Sequence, residues 1–135
     1  MINGLIDGIS QRLRENFGAE YEIYTEPVKQ GLKKPCFFIL PSGLTVKPLM
    51  KERSFWEHRF CIKYYPAGDD ARAENVLTQQ RLAQALGYIT WAEGITRGVN
   101  MQGEIKDNIL HFYVNYNLVA REAAETEPME KLTIV

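Results

Sequence analysis

The chain has 135 residues, 45% of them apolar and 24% charged, with a formal net charge of −1 at pH 7. Those values fit one domain large enough to bury a core, and they argue against a disordered or membrane-spanning chain. No apolar run approaches the ~20 residues of a membrane-spanning helix. The opening MINGLIDGISQRL lacks the basic start and continuous apolar core of a signal peptide, so a cytoplasmic protein is expected.

Ile2, Leu5, Ile6, Ile9 and Leu13 recur at helical steps and stop near Phe17-Gly18, which predicts an amphipathic helix laid on a sheet. YEIYTE alternates and predicts a short strand from Tyr21 to Glu26, ended by Pro27. PCFFIL reads as a central strand, Ser42-Gly43 as a turn or bulge, and LTVKPLM as an extended continuation, with Pro48 marking an edge. Lys51-Glu52-Arg53 is the expected hairpin tip. In SFWEHRFCIKYY, Trp56, His58, Phe60, Ile62 and Tyr64 should face the core or a partner, opposite a mixed set of Phe55, Glu57, Arg59, Cys61 and Lys63. Asp69 or Asp70 can cap a helix from Ala71 to about Leu86, with Ala73, Val76, Leu77, Leu82, Ala83 and Leu86 as its expected stripe.

Short extended pieces follow at Tyr88–Trp91 and Ile95–Ile105. The run GEIKDNILHFYVNY then places two strand-like arms around Asp107-Asn108. Leu110, Phe112, Val114, Tyr116 and Leu118 fall on one side of the second arm, and His111, Tyr113, Asn115 and Asn117 on the other. This order predicts an α+β fold, a mainly antiparallel sheet with two helices on one face. Residues 1–121 form the expected single domain. Residues 122–135 form an acidic tail, flexible or docked on a partner, with Met129, Leu132 and Ile134 as a small apolar tip.

The charge is unevenly spread. Eight basic residues stand against Glu52 and Glu57 between Val28 and Lys63, whereas ten acidic residues stand against six basic ones from Pro66 onward. Such a polarity suits heterologous pairing between copies, although solvated surface explains it as well. Cys36 and Cys61 sit in apolar runs without CxxC spacing, as buried reduced thiols do.

Reactive chemistry is hard to find. His58 and His111 lie in strands without paired metal spacing, and no GxSxG, GxGxxG or GxxxxGK[ST] occurs. No enzyme, cofactor or metal is expected. Basic residues near Phe37, Phe38, Phe55 and Trp56 could hold single-stranded nucleic acid, but those aromatics sit where a core needs them and the chain is mildly acidic. Seven Tyr, six Phe and two Trp, several at outward strand positions such as Tyr24, Phe55 and Tyr113, are better suited to protein contact. The candidate subunit or partner interface comprises Lys51, Arg53, Phe55, Tyr113, Glu125, Glu127, Met129 and Leu132.

The strings YEIYTEPVKQGLKKPCFFI, FCIKYYPAGDDAR, MQGEIKDNILHFYVNYNL and PMEKL, in this order, resemble the tail terminator family of bacteriophages and prophages. The resemblance runs over nearly the whole chain. It implies a small α/β subunit that forms a ring, commonly six-fold, capping the tail tube, stopping its polymerisation and presenting a surface to head-completion proteins. It implies no catalytic residues. The matching positions, among them Tyr21, Ile23, Pro35, Phe37, Phe38, Tyr64, Pro66, Val114 and Tyr116, are mostly fold-forming. Expected partners are the chain itself, the tail tube protein and a head-completion or connector protein, with no membrane and no specific nucleic acid. The expected location is the bacterial host cytoplasm during assembly, then the head-proximal end of the virion tail. Another head-tail connector subunit or a nucleic-acid-binding adaptor are the rival readings.

Overall fold

The computed structural model describes residues 1–28, 31–122 and 132–134. Two helices, α1 (Ile2–Phe17) and α2 (Ala71–Ala85), accompany seven strands: β1 (Glu22–Tyr24), β2 (Cys36–Pro48), β3 (Arg53–Tyr65), β4 (Tyr88–Trp91), β5 (Gly94–Lys106), β6 (Ile109–Glu122) and β7 (Leu132–Ile134). The strand order is β1-β2-β3-β6-β5-β4, and β7 pairs with β6. The expected α+β architecture is what the chain adopts.

The sheet is built on β3 and β6, which pair antiparallel from Arg53↔Arg121 to Tyr64↔Leu110. In that register Phe60 lies opposite Val114, Ile62 opposite Phe112 and Tyr64 opposite Leu110, so all six side chains share one face. Phe37 and Ile39 of β2 join them, and Leu5, Ile9, Leu13 and Phe17 of α1 with Leu82, Ala85 and Leu86 at the end of α2 close the core over that face. Both helices therefore cover the same side of the sheet, as alternation in the strands required.

Local chemistry accounts for the ends and turns. Gly18 follows α1 at φ 90, and its N–H donates to the Arg14 carbonyl at 3.0 Å. That left-handed conformation costs a side-chain-bearing residue energy and costs glycine none. Asp70 caps α2 by accepting from the Ala73 N–H at 3.1 Å. Lys51 and Glu52 (φ 62 and 61) form the β2–β3 tip, and Asp107 and Asn108 (φ 51 and 64) form the β5–β6 turn. At Asp107 and Asn108, between the paired Lys106 and Ile109, consecutive positive φ values are what a two-residue hairpin turn with the strands' own twist demands. Ser42-Gly43 is a bulge, with the β2 register shifting between Pro41 and Gly43.

One expectation needs correction, the stripe on α2, and the sheet has features that the sequence pattern did not resolve. β1 pairs parallel to β2, Ile23 beside Phe37, because the intervening segment carries the chain back to the start of the sheet before β2 begins. β5 contains a second bulge, between Val99 and Gln102. The stripe expected on α2 is largely reversed: Ala73, Val76, Leu77 and Ala83 are exposed, and only Leu82 and Leu86 of that set are buried. Within the stretch expected to be tail, Leu132–Ile134 return as β7, with Leu132 opposite Glu122 and Ile134 opposite Ala120. Since β3 already occupies the other side of β6 there, β7 takes the edge that β5 leaves free.

Glycine is required where α2 meets β5. The Gly98 N–H donates to the Gly87 carbonyl at 2.9 Å, and the Tyr116 hydroxyl, in the core, donates to the Leu86 carbonyl at 2.9 Å. A Cβ on Gly98 would collide with the Leu86 carbonyl oxygen and lie 3.0 Å from Val114 Cγ2. Backbone cannot swing aside as a flexible side chain can. Gly98→Ala should therefore lower unfolding stability by about 1–3 kcal/mol, read as a reduced urea midpoint with an unchanged slope.

Candidate assembly surfaces

The face of the sheet away from the helices carries Phe55, Glu57, Arg59, Cys61 and Lys63 of β3 opposite Val119, Asn117, Asn115, Tyr113 and His111 of β6. Arg59 organises its middle. Its Nη1 donates to Thr45 Oγ1 at 2.8 Å and to Glu57 Oε1 at 2.9 Å, and the guanidinium lies across Gly43, where a Cβ would sit 2.6 Å from Nη2. The bulge glycine thus makes room for a charge held flat against the sheet. At one end Tyr24 stacks on Phe38 (ring centroids 5.0 Å apart) and Phe38 meets Tyr65 edge-on at 5.5 Å. The result is a broad polar-aromatic surface whose main ion pair is already satisfied within the chain.

The β2–β3 hairpin forms a second surface. Leu44 and Val46 pair with His58 and Trp56, on the helix side of the sheet, yet both are exposed, as are Leu49 and Met50. Lys47, Lys51 and Arg53 supply its charge. At its base, His58 is buried between Trp56 and Phe60, with Nε2 3.1 Å from Met1 Sδ.

The outer side of α2 is the third surface. Three polar anchors set the rotation of this helix. The Asn75 amide, fully buried, donates to the Asn108 carbonyl at 3.0 Å. The Glu74 carboxylate accepts from the Tyr64 hydroxyl at 2.5 Å and from the Gly68 and Ala67 N–H groups at 2.9 and 3.1 Å. Thr78 is buried beside them. These anchors hold the polar side inward, so Val76 and Leu77 point to solvent. With Asp70, Arg72, Ala73 and Gln80 they line a shallow groove of about 410 Å³. Because β3 runs from the hairpin to Tyr65 and α2 starts just beyond, groove and hairpin tip lie at opposite ends of a 13-residue strand, a span of roughly 40 Å at the usual strand rise.

Of the eight residues predicted from sequence, Lys51 and Arg53 stand at the exposed hairpin tip, and Phe55 and Tyr113 lie half-buried on the helix-free face. Arg53 pairs with Arg121, next to Glu122 and hence to Leu132. Glu125, Glu127 and Met129 lie outside the described residues, and Leu132 is described as strand backbone only. The structure therefore brings the hairpin base and the return of the acidic segment to one end of the sheet. The outer face of α2 was not among the predicted residues. Its signal was present in Val76 and Leu77, but a helical repeat assigned them to the core.

Among the described residues no three His, Cys, Asp or Glu side chains are placed to hold a metal ion, and no helix is long and apolar enough to cross a membrane. Both cysteines are free and buried; burial pushes the Cys36 thiol up to about 11 and raises Cys61 as well. Native protein should accordingly resist alkylation at pH 8, with both thiols titrating only after denaturation; fast labelling of either would show that its strand opens.

Burial, and then the N-terminal ammonium, lower the His58 pKa below its ordinary 6.5. Burial alone would raise the Glu74 carboxyl, but hydrogen bonds from Tyr64, Gly68 and Ala67 bring it below its ordinary 4.5. In both cases the unfolded chain binds the proton first, so each contribution to stability is complete above the ordinary value and is lost as pH falls toward the folded one. Stability should decline first below pH 6.5 and again below pH 4.5. Glu74→Gln should remove the second step and cost about 1–3 kcal/mol at neutral pH, measured by urea unfolding across pH.

Residues 4–128 match the family model described as "Phage tail terminator protein". Comparison with curated proteins returns no match. The family match spans the helices, the central sheet and all three surfaces, and the chain belongs to the phage tail terminator family.

Proposed function

We propose that copies of this chain close into a ring, six-fold as the family resemblance implies, that caps the tail tube, ends its polymerisation and offers the joining surface to a head-completion protein. On this reading the chain is a structural component and not an enzyme, assembling in the host cytoplasm and remaining at the head-proximal end of the tail. The observation that carries the reading is the family match over residues 4–128. Supporting it is the polarity of the subunit, whose basic hairpin and acidic C-terminal half give the two unlike patches a heterologous ring contact requires. Ring closure lets several modest contacts act together, so each can be small.

Lys51 and Arg53 supply the basic side of the subunit contact in this proposal. Glu125, Glu127, Met129 and Leu132 contribute to the opposite side of that contact, and Phe55 and Tyr113 belong to the face offered to the tube or head-completion protein. A satisfied Arg59–Glu57 pair amid aromatic side chains suits a protein partner, since it adds polar detail without an uncompensated buried charge.

Light scattering after size exclusion over a wide concentration range, with electron microscopy of the largest species, tests the ring. Closed rings with a central opening are expected. Reversing both tip charges (Lys51→Glu with Arg53→Glu) should abolish them while the circular dichroism spectrum and urea midpoint stay those of the folded subunit. Unchanged assembly in that variant would remove the basic tip from the contact.

A further inference from the structure

The rotation of α2 leaves a question of chemistry. Val76 is 43% and Leu77 59% exposed, while Asn75 and Thr78 on the other side of the same helix are buried. Burying an aliphatic side chain is worth about 1.5–3 kcal/mol, so this orientation forgoes stability in the isolated subunit. The hairpin repeats the pattern: Met50, at its tip, is 80% exposed, with Leu49, Val46 and Leu44 exposed behind it. Two apolar surfaces of one chain thus stand uncovered at opposite ends of the sheet.

We infer that the β2–β3 hairpin of one copy docks into the groove on the outer face of α2 of the next. Met50 and Leu49 lie against Val76, Leu77 and Ala73, and the basic tip faces the acidic start of α2. This inference rests on the ring reading and names its interface. Charge selects the pair. The segment Leu44–Arg53 carries Lys47, Lys51 and Arg53 against Glu52, a net of +2. Asp69–Gln80 carries Asp69, Asp70 and Glu74 against Arg72, a net of −2. The other strongly exposed apolar residue on the sheet, Ile95 at 73%, stands between Glu93 and Arg97 and brings no net charge to an acidic groove. Shape agrees: a methionine at the tip of a tight hairpin is a narrow, adaptable probe, and the groove is a shallow trough.

Placement makes the contact head to tail. Because the groove and the tip lie about 40 Å apart on one subunit, by strand rise, a hairpin cannot reach its own α2. Each copy donates one arm and receives one, which is the heterologous geometry that closes a ring when the angle between contacts permits.

Cross-linking with a short bis-maleimide tests this on free protein across the concentrations used for light scattering. Cys36 and Cys61 are buried and should remain silent. A chain carrying both Met50→Cys and Leu77→Cys should give a ladder up to the full ring. An equimolar mixture of the two single variants should give dimers and no higher rungs, and each single variant alone should give none. Multimers seen by scattering without a cross-link between positions 50 and 77 would overturn this interface and leave the ring standing. A strong band from Met50→Cys alone would overturn it in favour of a symmetric tip-to-tip contact. Monomer at every concentration, with no band, would overturn both the interface and the self-assembling ring.

Discussion

The pairing of β3 with β6 is the constraint on which the rest of the molecule depends. Twelve consecutive partners from Arg53↔Arg121 to Tyr64↔Leu110 hold two long amphipathic strands in one register. Side chains in a strand alternate between faces, so a slip of one residue would turn Phe60, Ile62, Phe112 and Val114 to the wrong side and bring Arg59, Cys61 and Lys63 under the helices. That cost pins the register, and the register then decides everything lateral to it. β2 and β5 add to the two flanks, both helices lie over the apolar side, and the opposite side is left to Arg59, Tyr113 and their neighbours. The hairpin, too, is a consequence, since β2 and β3 continue past the point where α1 covers them.

Much of this was legible in the residues. Strict alternation after Asn108 identified the buried and open faces of β6, and the same pattern in SFWEHRFCIKYY identified those of β3, because period two has no competing explanation over so many residues. Asp70, Gly18 and the Asp107-Asn108 turn announced themselves through chemistry that acts within a few residues. What escaped was whatever depends on a partner far away in sequence. The inward side of α2 is chosen by Asn75 reaching Asn108 and by Tyr64 reaching Glu74, and neither hydrogen bond can be seen from the helix alone. A polar residue with a distant partner can occupy a buried position at reduced cost (the Asn75 amide N–H is paired, although its Oδ1 is not), and its apolar neighbour is displaced outward. The exposed hairpin tip was legible, because charge and turn coincide there, and the exposed side of α2 was illegible for the same reason that the stripe was misassigned.

Those anchors also bear on rigidity. Glu74 ties the start of α2 both to the loop before it and to the buried Tyr64 hydroxyl, and Arg81 reaches back to the Asn16 carbonyl while lying over the Phe17 ring. Arg12 links α1 to the other end, donating to the Ala85 carbonyl at 2.7 Å and stacking on Tyr88. The helix is thus fastened at both ends to α1 and the sheet. A receiving surface held this way keeps its orientation when occupied, and less ordering entropy is lost on docking than a mobile segment would lose.

Fixed orientation matters for the proposed ring. A heterologous contact of variable angle would let copies add in a spiral, whereas one fixed angle that divides a full turn evenly closes after a set number of copies. In the proposed ring, arm and groove are consumed laterally. What remains for the axial direction is the helix-free face, where Arg59 is already paired with Glu57 and the aromatic cluster of Tyr24, Phe38 and Tyr65 is packed against itself. With its central charge paired and Lys63 standing at one end, such a face has enough aromatic area to bind a different protein. Separating the lateral contact from the axial one in this manner gives a physical route by which a small subunit can close on itself and yet stop a tube from growing.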